Sequence, residues 1–438
     1  MNSIRKMLAF FIPMALQGAS MSLTYPLVGS VVSHGRLGPD EYAVFAQAQA
    51  IMFLVGSVGN GILTTGMVFA RSKTGMRNFT RMTILLAAVA AALQLLCCIP
   101  PFDGIVLGRL YHLEGDLLAV ARNTLFWCIP LNVLFFLRGP ALATLFVEKR
   151  SAPATLATAI RIGLTWAGSA AFVRAGLVGW AWGTALTTFA VFCETALFQF
   201  FAQSSLRALV DTADNEKASV GYQLRFTIPL SLGGTMINIS AVMVGLFLTL
   251  TDHPEDSRAI HYIAISIVNP LCAAALRMQT TTIAFPPKEY GFGRVQTFAF
   301  TAGVLLSSIA LALQIPAVAR WYFCDVQNLS DALAPLAKTA SLVAASHPFI
   351  QALRGHAEGL AAIRRRPNAI LSGQIAYLAA LVTVFFLFVH FHTVPGYLAG
   401  AISIAAAQGT SMLVIRLALL SNDFADEHGV AHVTSRHR

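Results

Sequence analysis

Read for its apolar and polar positions, the chain alternates long uncharged stretches with short polar ones. Twelve stretches approach or exceed the roughly 20 apolar residues that carry a helix across a bilayer. They are 7–32, 42–70, 80–100, 117–138, 152–173, 177–202, 221–250, 258–284, 294–315, 332–353, 368–390 and 394–420. Helices are required, because hydrocarbon offers no partner to an unpaired backbone group and the stretches are too long for barrel strands. A charged segment, 204–220, separates a lobe over 1–203 from a second over 221–420, and a polar tail occupies 421–438. Six spans in each lobe predict that both enter the membrane in the same orientation, related by an axis along the membrane normal. Met7–Val32 runs on at full spanning length, so a retained first span is expected rather than a cleaved signal peptide.

The pattern also repeats. Phe11-Ile12-Pro13-Met14-Ala15-Leu16 is echoed by Thr227-Ile228-Pro229-Leu230-Ser231-Leu232, an offset of 216. Met67-Val68-Phe69 meets Ile283-Ala284-Phe285, and Leu137-Arg138-Gly139 meets Leu353-Arg354-Gly355, at the same offset. Gly179-Trp180 meets Gly396-Tyr397 at 217, which needs one inserted residue. Three landmarks at one spacing point to a tandem duplication, and duplicated membrane halves build a transport path between them. Pro13 and Pro229 open the first helix of each lobe. There a proline either bends a gating helix or occupies a tolerant first turn.

Composition agrees with the membrane reading: 56% of residues are apolar and 11% charged, against about a quarter charged in soluble domains. The net charge of +10 is unevenly placed. With twelve spans, 18 Lys and Arg fall on the side of the termini and 6 on the other. This predicts cytoplasmic termini and a multi-pass protein of the plasma membrane, or the inner membrane of a bacterium. Arg364-Arg365-Arg366 reads as an anchor at the phospholipid surface, not as a nucleic-acid site. The six cysteines show no CxxC or Cys/His spacing, so neither a disulfide framework nor a metal site is expected. GxxxxGK[ST], HExxH and GxSxG are absent, which argues against an ATP-driven machine or an enzyme, and no cofactor is expected.

Candidate chemistry lies in the charges left inside the spans. Arg138, Arg161, Arg277, Lys338, Arg354 and Arg416 sit within or at the ends of spans, and Glu194 is the one acid well inside. Buried charge costs at least a few kcal/mol, so a cationic surplus points to a small anionic substrate that neutralises it. Arg161 lies roughly 13 Å along the fifth span, where it either lines a cavity or pairs with Glu194. Glu194 is a coupling carboxylate or that partner. Arg277 and Lys338 are shallower and either attract substrate or snorkel. Arg138 and Arg354 occupy equivalent positions near the ends of the fourth and tenth spans, at the cytoplasmic mouth or in a helix-end role. His356-Ala357-Glu358 is expected to be solvated in a loop.

Two six-helix lobes, each opened by Ile-Pro-[Met/Leu], resemble the multidrug/oligosaccharidyl-lipid/polysaccharide (MOP) exporter superfamily, which includes the multidrug and toxic-compound extrusion (MATE) transporters. Gly66-Met67-Val68-Phe69 with Ser72-Lys73, Phe285-Pro286, and Arg354-Gly355-His356 with Gly359-Leu360 resemble the progressive ankylosis family within it. The resemblance implies an all-α polytopic transporter of about twelve helices that exports pyrophosphate, a nucleotide or citrate by alternating access, with substrate between the lobes. A lipid-linked saccharide flippase and a multidrug exporter are the rivals. Met7–Val32 lacks the coupling carboxylate that some multidrug members carry there. A monomer is expected.

Overall fold

The computed structural model describes residues 2–20, 24–109, 113–211, 218–327 and 329–434, and among them every regular element is helical. Part of the expected linker (212–217), the end of the expected tail (435–438) and residues 21–23 of the first expected span lie outside the described residues. The helices are α1 (Asn2–Ser20), α2 (Thr24–Ser33), α3 (Asp40–Phe69), α4 (Lys73–Leu96), α5 (Gly115–Val147), α6 (Ser151–Arg174) and α7 (Trp180–Ala208). They continue with α8 (Val220–Leu248), α9 (Asp256–Ala284) and α10 (Phe292–Gln314). Last come α11 (Ala334–Ala344), α12 (His347–Ile363), α13 (Pro367–Phe391) and α14, whose Gly396–Leu420 part is long and apolar enough to span. Among the described residues ten helices meet that standard, and the chain is a multi-pass membrane protein. α1 with α2, and α11 with α12, occupy the remaining two of the twelve expected spans.

Two expected boundaries were wrong in the same way. The fourth span was placed at 117–138 and the tenth at 332–353, yet α5 runs to Val147 and α12 to Ile363. Arg138 and Arg354, expected near the ends of their spans, are instead followed by further helix. Each has a buried carboxylate beside it, and helical structure continues beyond it, after a break at Arg138 in α5.

The duplication is visible in the backbone. Lys149 (φ 61°) and Arg365 (φ 56°) are both left-handed and lie 216 apart, as do Gly176 (φ 71°) and His392 (φ 48°). Arg150 N–H donates to the Leu145 carbonyl and Lys149 N–H to that of Phe146; Arg366 and Arg365 repeat this on Ala361 and Ala362. This is a Schellman-type close, in which a left-handed residue satisfies the last carbonyls of a helix. π-helical segments at Gly104–Arg109 and Trp321–Val326 start 217 apart.

The chain forms two compact units, and their boundaries fall inside helices. The N-unit is Ile12–Thr235, and the C-unit is Met1–Phe11 with Met236–Arg438. Within the N-unit the first half of α8 presents Gln223, Thr227, Ser231 and Thr235, four apart and so on one helical face. Gln223 donates to the Gly75 carbonyl (3.2 Å), Thr227 meets Thr65 (2.7 Å), Ser231 donates to the Val58 carbonyl (2.7 Å) and Thr235 meets Ser57 (2.7 Å). In a bilayer such polar stripes hold helices together. Within the C-unit, the start of α1 is fixed by aromatic edges instead: Phe10 on Phe285 (5.5 Å) and Phe11 on Phe298 (5.7 Å). Glu41 is buried at the head of α3, where its carboxylate accepts from Leu37 N–H (3.1 Å) and from Trp180 N–H (2.7 Å), capping α7.

The left-handed turns generate a prediction. Lys149→Gly and Arg365→Gly each remove the Cβ clash of a left-handed residue, worth about 1 kcal/mol. Both variants should unfold at a higher temperature than the parent in detergent, and a fall in both would refute the paired-turn account.

Candidate functional site

The buried charges gather into two clusters, one in each unit. In the N-unit, α5 brings Arg138, α6 brings Thr158 and Arg161 from one face at i and i+3, α7 brings Glu194 and α1 brings Gln17. Arg138 stands where α5 is broken: Pro140, two residues on, has no N–H to give the Phe136 carbonyl, and the helix resumes at Gly139. Glu194 accepts from the Thr158 hydroxyl at 2.6 Å, and Thr158 in turn accepts from Gln17 Nε2 at 2.9 Å. Arg138 Nη1 lies 3.3 Å from Glu194 Oε2, and Arg161 Nε lies 3.6 Å from Oε1. The side chains of Arg161 and Glu194 are 4% and 2% exposed, that of Arg138 20%. The guanidinium of Arg138 also sits over the Phe135 ring at 4.7 Å.

The C-unit cluster is built on α12 and α13. Arg354 Nε donates to Glu358 Oε1 at 3.0 Å, one turn on, and its Nη2 donates to Gln374 Oε1 at 3.2 Å. Gln374 Nε2 closes the ring on Glu358 Oε1 at 2.8 Å. The Arg354 guanidinium covers the Tyr377 ring at 5.2 Å. All four residues are buried.

At the 216 offset Arg354 corresponds to Arg138, Gln374 to Thr158 and Tyr377 to Arg161. The carboxylate has moved. Glu194 on α7, past the inserted residue, corresponds to Ser411, and Glu358 on α12 corresponds to Leu142. The N-unit cluster therefore holds two guanidiniums and one carboxylate, the C-unit cluster one of each.

Of the candidate site residues, the structure joins Arg138, Arg161 and Glu194, and puts Arg354 with Glu358, Gln374 and Tyr377, none of them a candidate. Arg277 joins the two halves of α9 and is half-buried, as are Lys338 on α11 and Arg416 on α14. Pro13 is the twelfth residue of α1 and Pro229 the tenth of α8, so neither occupies a first turn. The expectation of a solvated His356-Ala357-Glu358 loop is overturned. All three residues are buried inside α12, where His356 Nδ1 meets the Thr282 hydroxyl at 3.1 Å. The readable signal was Arg354 and Glu358 at i and i+4, a spacing that lets the two charges meet on one helix. His261 and His347 were passed over as well; both are buried, and His347 Nε2 meets the Ala401 carbonyl at 2.9 Å. Among the described residues no group of His, Cys, Asp and Glu is arranged to hold a metal ion.

No protein-family model matches this sequence. No curated protein matches it either. Solved structures do match, along nearly the whole chain. One is a MATE protein in a bent conformation, at TM-score 0.75 and 14% identity, covering 97% of this chain and 96% of that one. The fold is the MATE fold. A second match is a eukaryotic MATE transporter, AtDTX14, at TM-score 0.71 and 15% identity, covering 95% of each chain. A third is a MOP superfamily transporter from Pyrococcus furiosus at TM-score 0.70 and 15% identity, covering 94% of each chain. That protein is described as having a binding pocket of reverse polarity that suggests a different function. These matches point to MATE and MOP proteins and do not single out the progressive ankylosis family.

The closed C-unit cluster sets a stability test. Arg354→Gln or Glu358→Gln alone strands a buried charge and should cost on the order of 3 kcal/mol. The double variant should be less destabilised than the sum of the two, read from unfolding of the purified protein as a double-mutant cycle. Additive losses would show that the pair is not coupled.

Proposed function

We propose that this protein is an alternating-access exporter that carries a small organic or phosphate-rich anion, of the pyrophosphate, nucleotide or citrate class, outward across the plasma membrane. The observation that carries the reading is the N-unit cluster, in which a buried guanidinium, Arg161, and a half-buried one, Arg138, share a single carboxylate. A buried cationic surplus is stabilised by an anion and repels a cationic drug. In this reading Arg138, Arg161 and Glu194 meet the substrate, Arg277 and Lys338 add attraction, and Arg354 holds the frame of the C-unit. Pro13 and Pro229, both inside helices, are the bending points of the gate. The protein works as a monomer with both termini in the cytoplasm.

A multidrug exporter is the second reading, and the shared fold favours it. The first helices weigh against a cation-coupled version of it, since neither α1 nor α2 contains an Asp or Glu.

Proteoliposomes separate the two. The expected result is saturable uptake of labelled pyrophosphate, citrate or nucleotide, lost on Arg161→Ala, with no uptake of a cationic dye. Dye uptake without anion uptake would overturn the anion reading in favour of multidrug export.

A further inference from the structure

We infer that the N-unit cluster is a binding site for one anionic group of single negative charge, a carboxylate or a phosphate monoanion, and that the C-unit cluster is its closed duplicate. The inference rests on the anion-export reading above and adds a place and a charge count to it.

The argument begins with the donors. Arg161 is only 3% exposed, and neither its Nε nor its Nη2 has a hydrogen-bond partner. Its approach to Glu194, 3.6 Å, is an ion pair too long for a hydrogen bond, and Arg138 stands at 3.3 Å. Charge-assisted bonds settle at about 2.7–2.9 Å when nothing else competes for the guanidinium. Glu194 is instead held tightly by the Thr158 hydroxyl at 2.6 Å. The carboxylate is therefore committed to α6 and to Arg138, and Arg161 has donors to spare beside it. Leaving such donors unmet in a buried site costs free energy that an anionic oxygen would recover.

The duplicate shows what a finished cluster looks like. Around Arg354 the hydrogen bonds run from 2.8 to 3.2 Å, and no side-chain N or O of Arg354, Glu358 or Gln374 is stranded. Its charges cancel one for one. The difference between the two traces to the Arg161 position: where the N-unit has a second guanidinium, the C-unit has Tyr377, which offers Arg354 a ring face and no charge. The N-unit cluster is thus one negative charge short of the state its duplicate has reached. A monoanionic group completes it with Glu194 still ionised. A dianionic group would leave a buried excess of negative charge and must arrive protonated.

Gln17 adds a chemical detail. Its Nε2 is used on Thr158, and its Oε1 is buried with no partner. A ligand that carries a hydroxyl beside its anionic oxygen, as a hydroxycarboxylate or a protonated phosphate does, supplies the missing O–H.

The test uses the full-length protein in nanodiscs, with inorganic phosphate and citrate as probes by titration calorimetry at pH 6, beside proteoliposome uptake of the same anions. Three variants bracket the charge count. Arg161→Tyr copies the C-unit solution and should abolish probe binding. Glu194→Gln removes the competing carboxylate and should tighten binding on the order of tenfold. Tyr377→Phe, in the duplicate, should leave binding unchanged. Tighter binding by Glu194→Gln cannot come from misfolding, so the inference stays testable if Arg161→Tyr proves unstable. Unchanged binding in a folded Arg161→Tyr, or weaker binding in a folded Glu194→Gln, would overturn the site while wild-type anion uptake kept the export reading intact. Absence of anion binding and uptake in the wild type would instead overturn both.

Discussion

A charge buried within membrane spans has to be met by an opposite charge, because hydrocarbon holds no water to stand in for one. Arg138 and Arg354 inherit one position from the duplication and so impose one demand on both units: a carboxylate within reach. The units meet it from different helices, Glu194 on α7 and Glu358 on α12. The arginine was kept and the acid relocated. Relocation is tolerated because a guanidinium can be approached from several directions in its plane, whereas the backbone around it has fewer options.

The parts that did not change are backbone features. The left-handed closes at Lys149 and Arg365 use residues with no intrinsic liking for that conformation, yet both keep the same pair of helix-ending hydrogen bonds. The π-helical segments also recur in both units, starting 217 apart against 216 for the left-handed turns. Side chains were freer. Gln223, Thr227, Ser231 and Thr235 line the first half of α8, and the matching positions on α1 are Met7, Phe11, Ala15 and Ala19. One half-helix is seated by hydrogen bonds and the other by apolar packing. Both chemistries hold helices in a bilayer, so neither change breaks the frame.

This division explains what could be read from the sequence. Spanning length and the repeat come from composition and order, and they carried the all-helical, about-twelve-span architecture correctly. The pairing partners were harder. Arg161 and Glu194 were recognisable as deep charges on neighbouring spans. Arg138 is expected at the end of a span, apart from them, although α5 runs on to Val147. The same misjudgement cut α12 short before Ile363 and left His356 and Glu358 in an imagined loop. Had Arg354 and Glu358 been taken as an i, i+4 pair, the helix would have run through and the cluster would have been legible. Gln374 could not be found that way, since its role depends on how α13 lies against α12.

The Arg161 position decides what kind of object each cluster is. With tyrosine there, as at Tyr377, a single guanidinium stacks on a ring and bonds to one acid, and the charges cancel. With arginine there, the acid is outnumbered: Arg138 hydrogen-bonds to it at 3.3 Å, and the second guanidinium, Arg161, stands 3.6 Å away with no hydrogen bond to it. A purely structural role would favour the first arrangement, since removing the extra cation would spare the cost of burying it. Keeping a second arginine in one unit, and a neutral ring in the other, makes sense where the missing counter-charge comes from outside the chain and leaves again.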